Sequence, residues 1–247
     1  GHELAAGFTI QRQNIDTFRE SILALCSEYQ ASGHCKAALE LDCAVDPELL
    51  TLANVDDLSQ LEPCGSGCPR PIFYMDGVTV EQLSEVGGGK HLRLRLLKRG
   101  VHLNAIFFSA TILKSGVTAG DQVELAFTPQ INEYRGTCSV QLNLVDLRPD
   151  SATRLRSSQD KALYESLCIG QALSKQQAEA MLPVRQEFVA VWKYLTANAV
   201  AGGLQDSVEC LSRKIARFSG LPASFLRTRV CLDVFCEQGL LQLEERR

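Results

Sequence analysis

The residues with chemistry to offer cluster in one stretch, residues 87–149. Leu92-Arg93-Leu94-Arg95-Leu96 alternates apolar and basic side chains with a period of two. In a strand that puts the leucines on one face and the arginines on the other. Lys90 and His91 stand just before it, and Tyr134, Arg135 and Gln141 follow at and after a second turn. Cations hold phosphates, and flat rings stack on unpaired bases. On pattern alone two readings stay open: a binding face for single-stranded nucleic acid, and the solvated basic side of any small antiparallel barrel. Phe107 and Phe108 are strand neighbours and point to opposite faces, so neither alone makes a base platform.

The other reactive residues do not assemble a centre. Ten cysteines are scattered, several inside apolar periodic segments where cysteine acts as a small hydrophobe. Cys64-Gly65-Ser66-Gly67-Cys68 is the one close pair, and a zinc site needs about four ligands. Free thiols in a reducing, cytoplasmic setting are the simpler expectation. The four histidines are His2, His34, His91 and His102, and no Asp-His-His run occurs. A two-metal phosphodiesterase gathers carboxylates and histidines around ions about 3.5–4 Å apart. No catalytic residue and no metal ligand is therefore assigned in this sequence. Gly1-His2 opens a run of glycine and small residues suited to a turn into a helix, where amides can hold an anion. An ordinary lone histidine is the plainer alternative.

A length of 247 residues allows one to three domains, and 45% hydrophobic content is enough for a core. A net charge of −4 argues against a coat that binds nucleic acid nonspecifically, so any such binding rests on local patches. No stretch approaches the roughly 18 apolar residues of a membrane span, and no signal peptide is visible. The opening Gly1-His2-Glu3 reads as the middle of a motif, so the chain is expected to be a piece of a longer protein.

The elements that must position these residues follow from periodicity. Asn14 is a plausible cap for a helix with Ile15, Phe18, Ile22, Leu25 and Tyr29 on one face, ended by Gly33. Residues 39–45 alternate like a strand. Asp46-Pro47 starts a helix running to about Leu61, and residues 62–71 form a rigid bend. Strands are expected at 72–80, at 92–96, at 101–108 after an Arg99-Gly100 turn, around Val123, Leu125 and Phe127, and around Val140, Leu142 and Leu144. Five strands with an interruption before the fourth fit an OB-fold barrel. Residues 150–158 read as a linker. Short helices are expected at 159–167 and 175–181, and a better one opens at Pro183 with Phe188, Val191, Trp192 and Leu195 on one face. Asp206 and Glu209 make a capping-box-like start to the next, and a last helix carries Leu226, Val230 and Val234. A strand over 240–243 would complete winged-helix order, with Arg227 and Arg229 facing outward. The plainer reading of that tail is a helical interaction module.

The segments GHELAAGFTI, LEPCGSGCPRPIF, GGGKHLRLRL, AIFF and GDQVELAFTPQINEYRGTCSVQLNLVDLRP, in that order, resemble the C-terminal part of the RecJ family of DHH phosphoesterases. The likeness covers residues 1–149. Its opening motif is shared by many DHH enzymes, and its barrel segments are far more specific. Cys64 and Cys68 depart from the aromatic residue and asparagine usual in the family. The resemblance implies an α+β multidomain chain. Residues 1–37 would end a DHH-associated domain, 38–150 would hold a linker helix and an OB-fold barrel, and 151–247 a helical, winged-helix-like domain. It implies a single-stranded-DNA-specific 5′-to-3′ exonuclease of DNA repair and recombination, with Mn or Mg bound upstream of Gly1. This piece would be inactive alone and would bind single-stranded DNA through Gly1, His2, Lys90, His91, Arg93, Arg95, Tyr134, Arg135 and Gln141. The rival reading is a non-catalytic module docking a single-stranded-DNA-binding or replication protein.

Overall fold

The computed structural model describes residues 7–31, 38–65, 67–200 and 203–244, and the chain divides into two compact units, Gly1–Glu40 and Leu41–Arg247. In the first, a 3-10 turn over Arg12–Asn14 runs directly into helix α1 (Ile15–Ala31), with Asn14 the last residue of the turn. Phe18 meets Phe8 edge-on at 4.6 Å between ring centroids. Ile15, Ile22, Leu25 and Tyr29 on the same apolar face are exposed. The expected helix end at Gly33 lies outside the described residues.

The second unit begins with β1 (Cys43–Ala44), which pairs in parallel with the start of β2 (Phe73–Val86). Only two residues of the expected strand over 39–45 pair as a strand, flanked by the Asp42 and Val45 amides donating to the Ile72 and Tyr74 carbonyls at 2.9 Å. The helix expected from Asp46 to Leu61 is broken into three pieces: a 3-10 turn Pro47–Leu49, α2 (Leu52–Asp57) and a second 3-10 turn Leu58–Leu61. Asp46 caps nothing; its carboxylate accepts from Arg99 Nη1 at 2.8 Å, and Thr51 caps α2 by accepting from the Asn54 amide at 3.2 Å.

A barrel follows, made of β2, β3 (His91–Lys98), β4 (Val101–Phe107), β5 (Gln122–Tyr134) and β6 (Thr137–Pro149), with α3 (Ile112–Ser115) between β4 and β5. The hydrogen-bonded order is β2-β3-β4-β6-β5, and β5 pairs back with β2 to close it. β4 and β6 run parallel while the other barrel pairs run antiparallel. Five strands closed in this order, with a helix before the fourth, are the OB-fold. Alternation explains the core: Leu92, Leu94 and Leu96 from β3 are buried with Val123, Leu125 and Phe127 from β5 and Leu142 and Leu144 from β6. Each such side chain taken from water contributes about 1.5–3 kcal/mol. β2 runs six residues past the expected end at Val80. Its extension, Glu81 to Val86, is mostly polar and keeps only Leu83 against the core. Two hairpin tips carry the same sequence pair. Arg99-Gly100 has φ of 49° and 82°, and Arg135-Gly136 has φ of 52° and 76°. Two successive positive φ values make the tight turn whose twist matches that of the flanking strands.

α4 (Ser151–Cys168) starts as soon as β6 ends, capped by Asp150, whose carboxylate accepts from the Thr153 amide at 3.0 Å. The linker expected over 150–158 is thus the cap and first two turns of a helix. α5 (Lys175–Met181) stands where it was expected, and α6 (Arg185–Asn198), α7 (Val208–Ser219) and α8 (Phe225–Glu237) follow. Ala190, Val191, Leu211, Ile215, Cys231, Leu232 and Phe235 form their shared core. α7 is capped by Ser207, which accepts from the Cys210 amide at 3.2 Å, while Asp206 takes Lys214 Nζ at 2.7 Å. The strand expected over 240–243 does not form; Leu241 packs on the helical core instead. Arg227 and Arg229 do not face outward either. Arg227 bonds Glu187 at 3.1 Å and the Ala180 carbonyl at 3.0 Å, and Arg229 lies over the Tyr164 ring and pairs with Asp233 at 3.1 Å.

Barrel and helices are tied by buried Asp121, just before β5. Its carboxylate accepts from the Thr118 amide at 2.8 Å and from Arg213 Nε at 3.0 Å, and pairs with Arg217. Arg213 also donates to the Gly116 carbonyl at 2.6 Å. Among the described residues no helix is long and apolar enough to cross a membrane.

Candidate nucleic-acid interface

The outer face of the barrel carries a groove of about 640 Å³ across β3, β4 and the β5–β6 hairpin. Arg93 enters from β3, Asn104 and Ile106 from β4, and Asn132, Tyr134, Arg135 and Gln141 from the hairpin. Strand alternation aims these side chains: Arg93 sits between buried Leu92 and Leu94, and Asn104 between buried Leu103 and Ala105. In OB-folds the second and third strands and the loop joining the last two are the surface that takes oligonucleotides. β3, β4 and the Arg135-Gly136 turn are those elements here.

Four of the expected residues line this one groove: Arg93, Tyr134, Arg135 and Gln141. Tyr134 is 64% exposed, and the Arg135 guanidinium lies 5.1 Å from its ring centroid. Neither Arg93 nor Arg135 has a carboxylate partner among the described residues, so both charges stay open to an anion. Arg95 is on the same face, but its Nε pairs with Glu81 at 3.1 Å. His102 Nδ1 meets the same Glu81 oxygen at 2.9 Å. His91 lies to one side. Its ring packs edge-on against Phe108 at 5.1 Å, and its Nδ1 accepts from the Ser109 amide at 3.1 Å. Lys90 is exposed on the β2–β3 turn and does not line the groove. Gly1 and His2 lie outside the described residues. Of the phenylalanine pair, Phe107 ends β4 and packs on the core, while Phe108, one residue past the strand, is exposed.

The sequence reading missed the amides bonded in a chain with Gln141 beside the groove. Asn143 Nδ2 donates to Gln130 Oε1 at 2.7 Å, and Gln141 Nε2 donates to Asn143 Oδ1 at 3.3 Å. The signal was present: Gln141 and Asn143 alternate with Val140, Leu142 and Leu144. Among the described residues no group of three or more histidines, cysteines, aspartates or glutamates is gathered to hold a metal ion. Cys68 pairs with Gly65 in a short backbone bridge that Cys64 precedes, and both thiols are free.

The family model described as the RecJ OB domain matches residues 41–146. Those residues are similar to a RecJ OB domain, and the groove lies wholly within the matched stretch. The chain is similar to the "Single-stranded-DNA-specific exonuclease RecJ" of Dickeya dadantii, 30% identical over 151 residues, covering 60% of this chain and 26% of that protein. It is likewise similar to the exonuclease of the same description from Thermus thermophilus, 30% identical over 153 residues, covering 62% of this chain and 21% of that one. Among solved structures, RecJ of Thermus thermophilus in complex with Mg2+ aligns at a TM-score of 0.40 and 25% identity, covering 59% of this chain and 22% of that one. The chain thus spans about a quarter of the length of the curated relatives it matches.

Proposed function

We propose that this chain is the single-strand-holding portion of a RecJ-type exonuclease, an enzyme of DNA repair and recombination that degrades single-stranded DNA from its 5′ end. The groove of the RecJ OB domain carries this reading, because it brings two unpaired arginines and an exposed tyrosine onto the nucleic-acid face of an OB-fold. Arg93 and Arg135 hold phosphates, Tyr134 stacks on a base, and Gln141 contributes polar contact. Lys90 and Arg95 extend the cationic margin, His91 adds a polar ring edge beside them, and Gly1 and His2 hold an anion nearer the cutting centre. Residues 1–37 close a DHH-associated domain, 38–150 carry the barrel and its leading helix, and 151–247 form a helical domain of winged-helix kind.

Bond cleavage belongs to a part of the enzyme outside this sequence. The described residues offer no cluster of carboxylates and histidines, and two-metal hydrolysis of a phosphodiester requires one. We assign Mg2+ or Mn2+ to that upstream centre, and we take this chain by itself to be inactive and its setting to be cytoplasmic. A second role fits the α4–α8 bundle: docking a single-stranded-DNA-binding protein. Exposed apolar residues on it, among them Ile169, Leu182 and Phe218, favour that reading.

The test is fluorescence anisotropy of labelled oligonucleotides with the whole chain. Single-stranded DNA is expected to bind and blunt duplex to bind more weakly. Arg93→Ala with Arg135→Ala is expected to weaken binding and to reduce the slope of log affinity against log salt by about 1.4, two phosphate contacts at about 0.7 each. An unchanged slope would remove the groove from the account.

A further inference from the structure

Two transverse rows of outward side chains cross the barrel here, and Arg93, Asn104, Ile106 and Gln141 of these rows line the groove. Arg95 of β3 faces Asn104 of β4, Asn104 faces Gln141 of β6, and Gln141 faces Gln130 of β5. In the neighbouring row Arg93 faces Ile106, Ile106 faces Asn143, and Asn143 faces Thr128. With strands about 4.8 Å apart, each row spans four strands without a single aromatic ring. The nearest rings, Tyr134 at the hairpin tip and the His91–Phe108 pair, lie outside both rows.

The amides are joined head to tail, from Gln141 through Asn143 to Gln130. Each bond sets a carbonyl against an amino group, so the three amides are oriented together. The Gln141 carbonyl remains unused at one end and the Gln130 amino group at the other. The Asn104 side chain makes no hydrogen bond among the described residues, so both its ends are open. A floor built to stack bases needs flat partners; this one presents oriented donors and acceptors.

The geometry points to a floor that reads base edges by hydrogen bonding, with Asn104 and Gln141 setting a base preference, adenine foremost, and Asn143 and Gln130 holding the Gln141 amide in place. An amide's carbonyl and amino groups match the N6 amino group of adenine and its neighbouring ring nitrogen in one planar pair. This inference rests on the single-strand reading proposed above and adds the part of the strand that is recognised.

The experiment compares four labelled strands of equal length on the whole chain: oligo-dA, oligo-dT, an abasic strand, and oligo-dA methylated twice at N6. Dimethylation keeps the purine face for stacking and removes both amino protons. Oligo-dA is expected to bind tighter than oligo-dT, and about threefold to tenfold tighter than the dimethylated and abasic strands. Asn104→Ala with Gln141→Ala is expected to shrink that gap to within about twofold while leaving the salt slope in place. Asn104→Ala alone, at an exposed position without side-chain bonds, shrinks it in part and guards against a folding defect in the pair. Equal binding of dimethylated and plain oligo-dA overturns base-edge reading and leaves single-strand binding standing. Failure of every strand to bind overturns the single-strand reading, and this inference with it.

Discussion

Arg95 is on the same face of β3 as the groove residue Arg93, yet Glu81 already holds it at 3.1 Å. That pair is half exposed on the arginine side, and exposed pairs contribute only about 0.2–1 kcal/mol. A phosphate can therefore compete for the guanidinium, and Glu81 sets how readily. Glu81→Gln is expected to raise single-strand affinity by up to about fivefold at low salt, with the gain fading as salt rises. A titration showing no gain would mean that Arg95 does not reach the strand. At this scale the sequence was partly legible. The Leu-Arg alternation announced which side chains leave the barrel, because one face of β3 is buried and the other is not. It said nothing of which arginines find carboxylates, since Glu81 meets Arg95 only once β2 and β3 are in register. The groove amides were hidden for a related reason. Asn104 and Gln130 look like ordinary polar strand residues until cross-strand register sets them in one row.

The strands were more legible than the helices. A closed barrel buries an entire face of each strand, which writes a period of two into β3, β5 and β6. The extension of β2 over 81–86 was not legible, because that part carries mostly polar side chains and leaves Leu83 alone to mark an inner face. The start of α4 was missed because none of its residues is fully buried, so no apolar stripe marks it. One contact that fixes α4 has a pH signature. Tyr164 donates to Asp233 at 2.6 Å, and burial with that bond pushes its pKa from 10 to about 12, against the opposing pull of Arg229. The unfolded tyrosine loses its proton first as pH rises. The stabilisation is therefore whole below pH 10 and is lost between pH 10 and 12. Buried Cys231 acts with the same sign, its pKa raised by burial from 9 to about 12. Tyr164→Phe is expected to flatten the fall of unfolding free energy with pH across that window, as read by urea titrations at successive pH values. An unaltered slope would assign the alkaline loss elsewhere.

At the scale of the whole molecule, Asp121 joins two cores that share few other fixed points. Its charge is buried and answered by Arg213 and Arg217, which lie 92 and 96 residues further along. No local pattern reveals such a pair. Removing one partner from a buried charge cluster typically costs about 3–5 kcal/mol. Asp121→Ala is expected to lower the melting temperature of the helical bundle and split calorimetric unfolding into two transitions, barrel and bundle. A single transition at an unchanged temperature would show that the two halves cooperate through other contacts. Gly120 beside it has φ of 82°, and a Cβ there would stand 2.8 Å from Arg217 Nε. Gly120→Ala is expected to act as a milder form of the same lesion, costing about 1 kcal/mol or more through backbone strain and a displaced arginine.

The hairpin tip between β5 and β6 carries a conflict of its own. Arg135 holds a left-handed backbone, at φ of 52°, that asparagine adopts far more readily than arginine does. Replacing it by asparagine should relax the loop and make the barrel sturdier by roughly 1 kcal/mol, while stripping the groove of an unpaired cation. Heat resistance and grip on a polyanion would then move in opposite directions from one substitution, so a screen for thermal robustness alone would steadily select weaker binders.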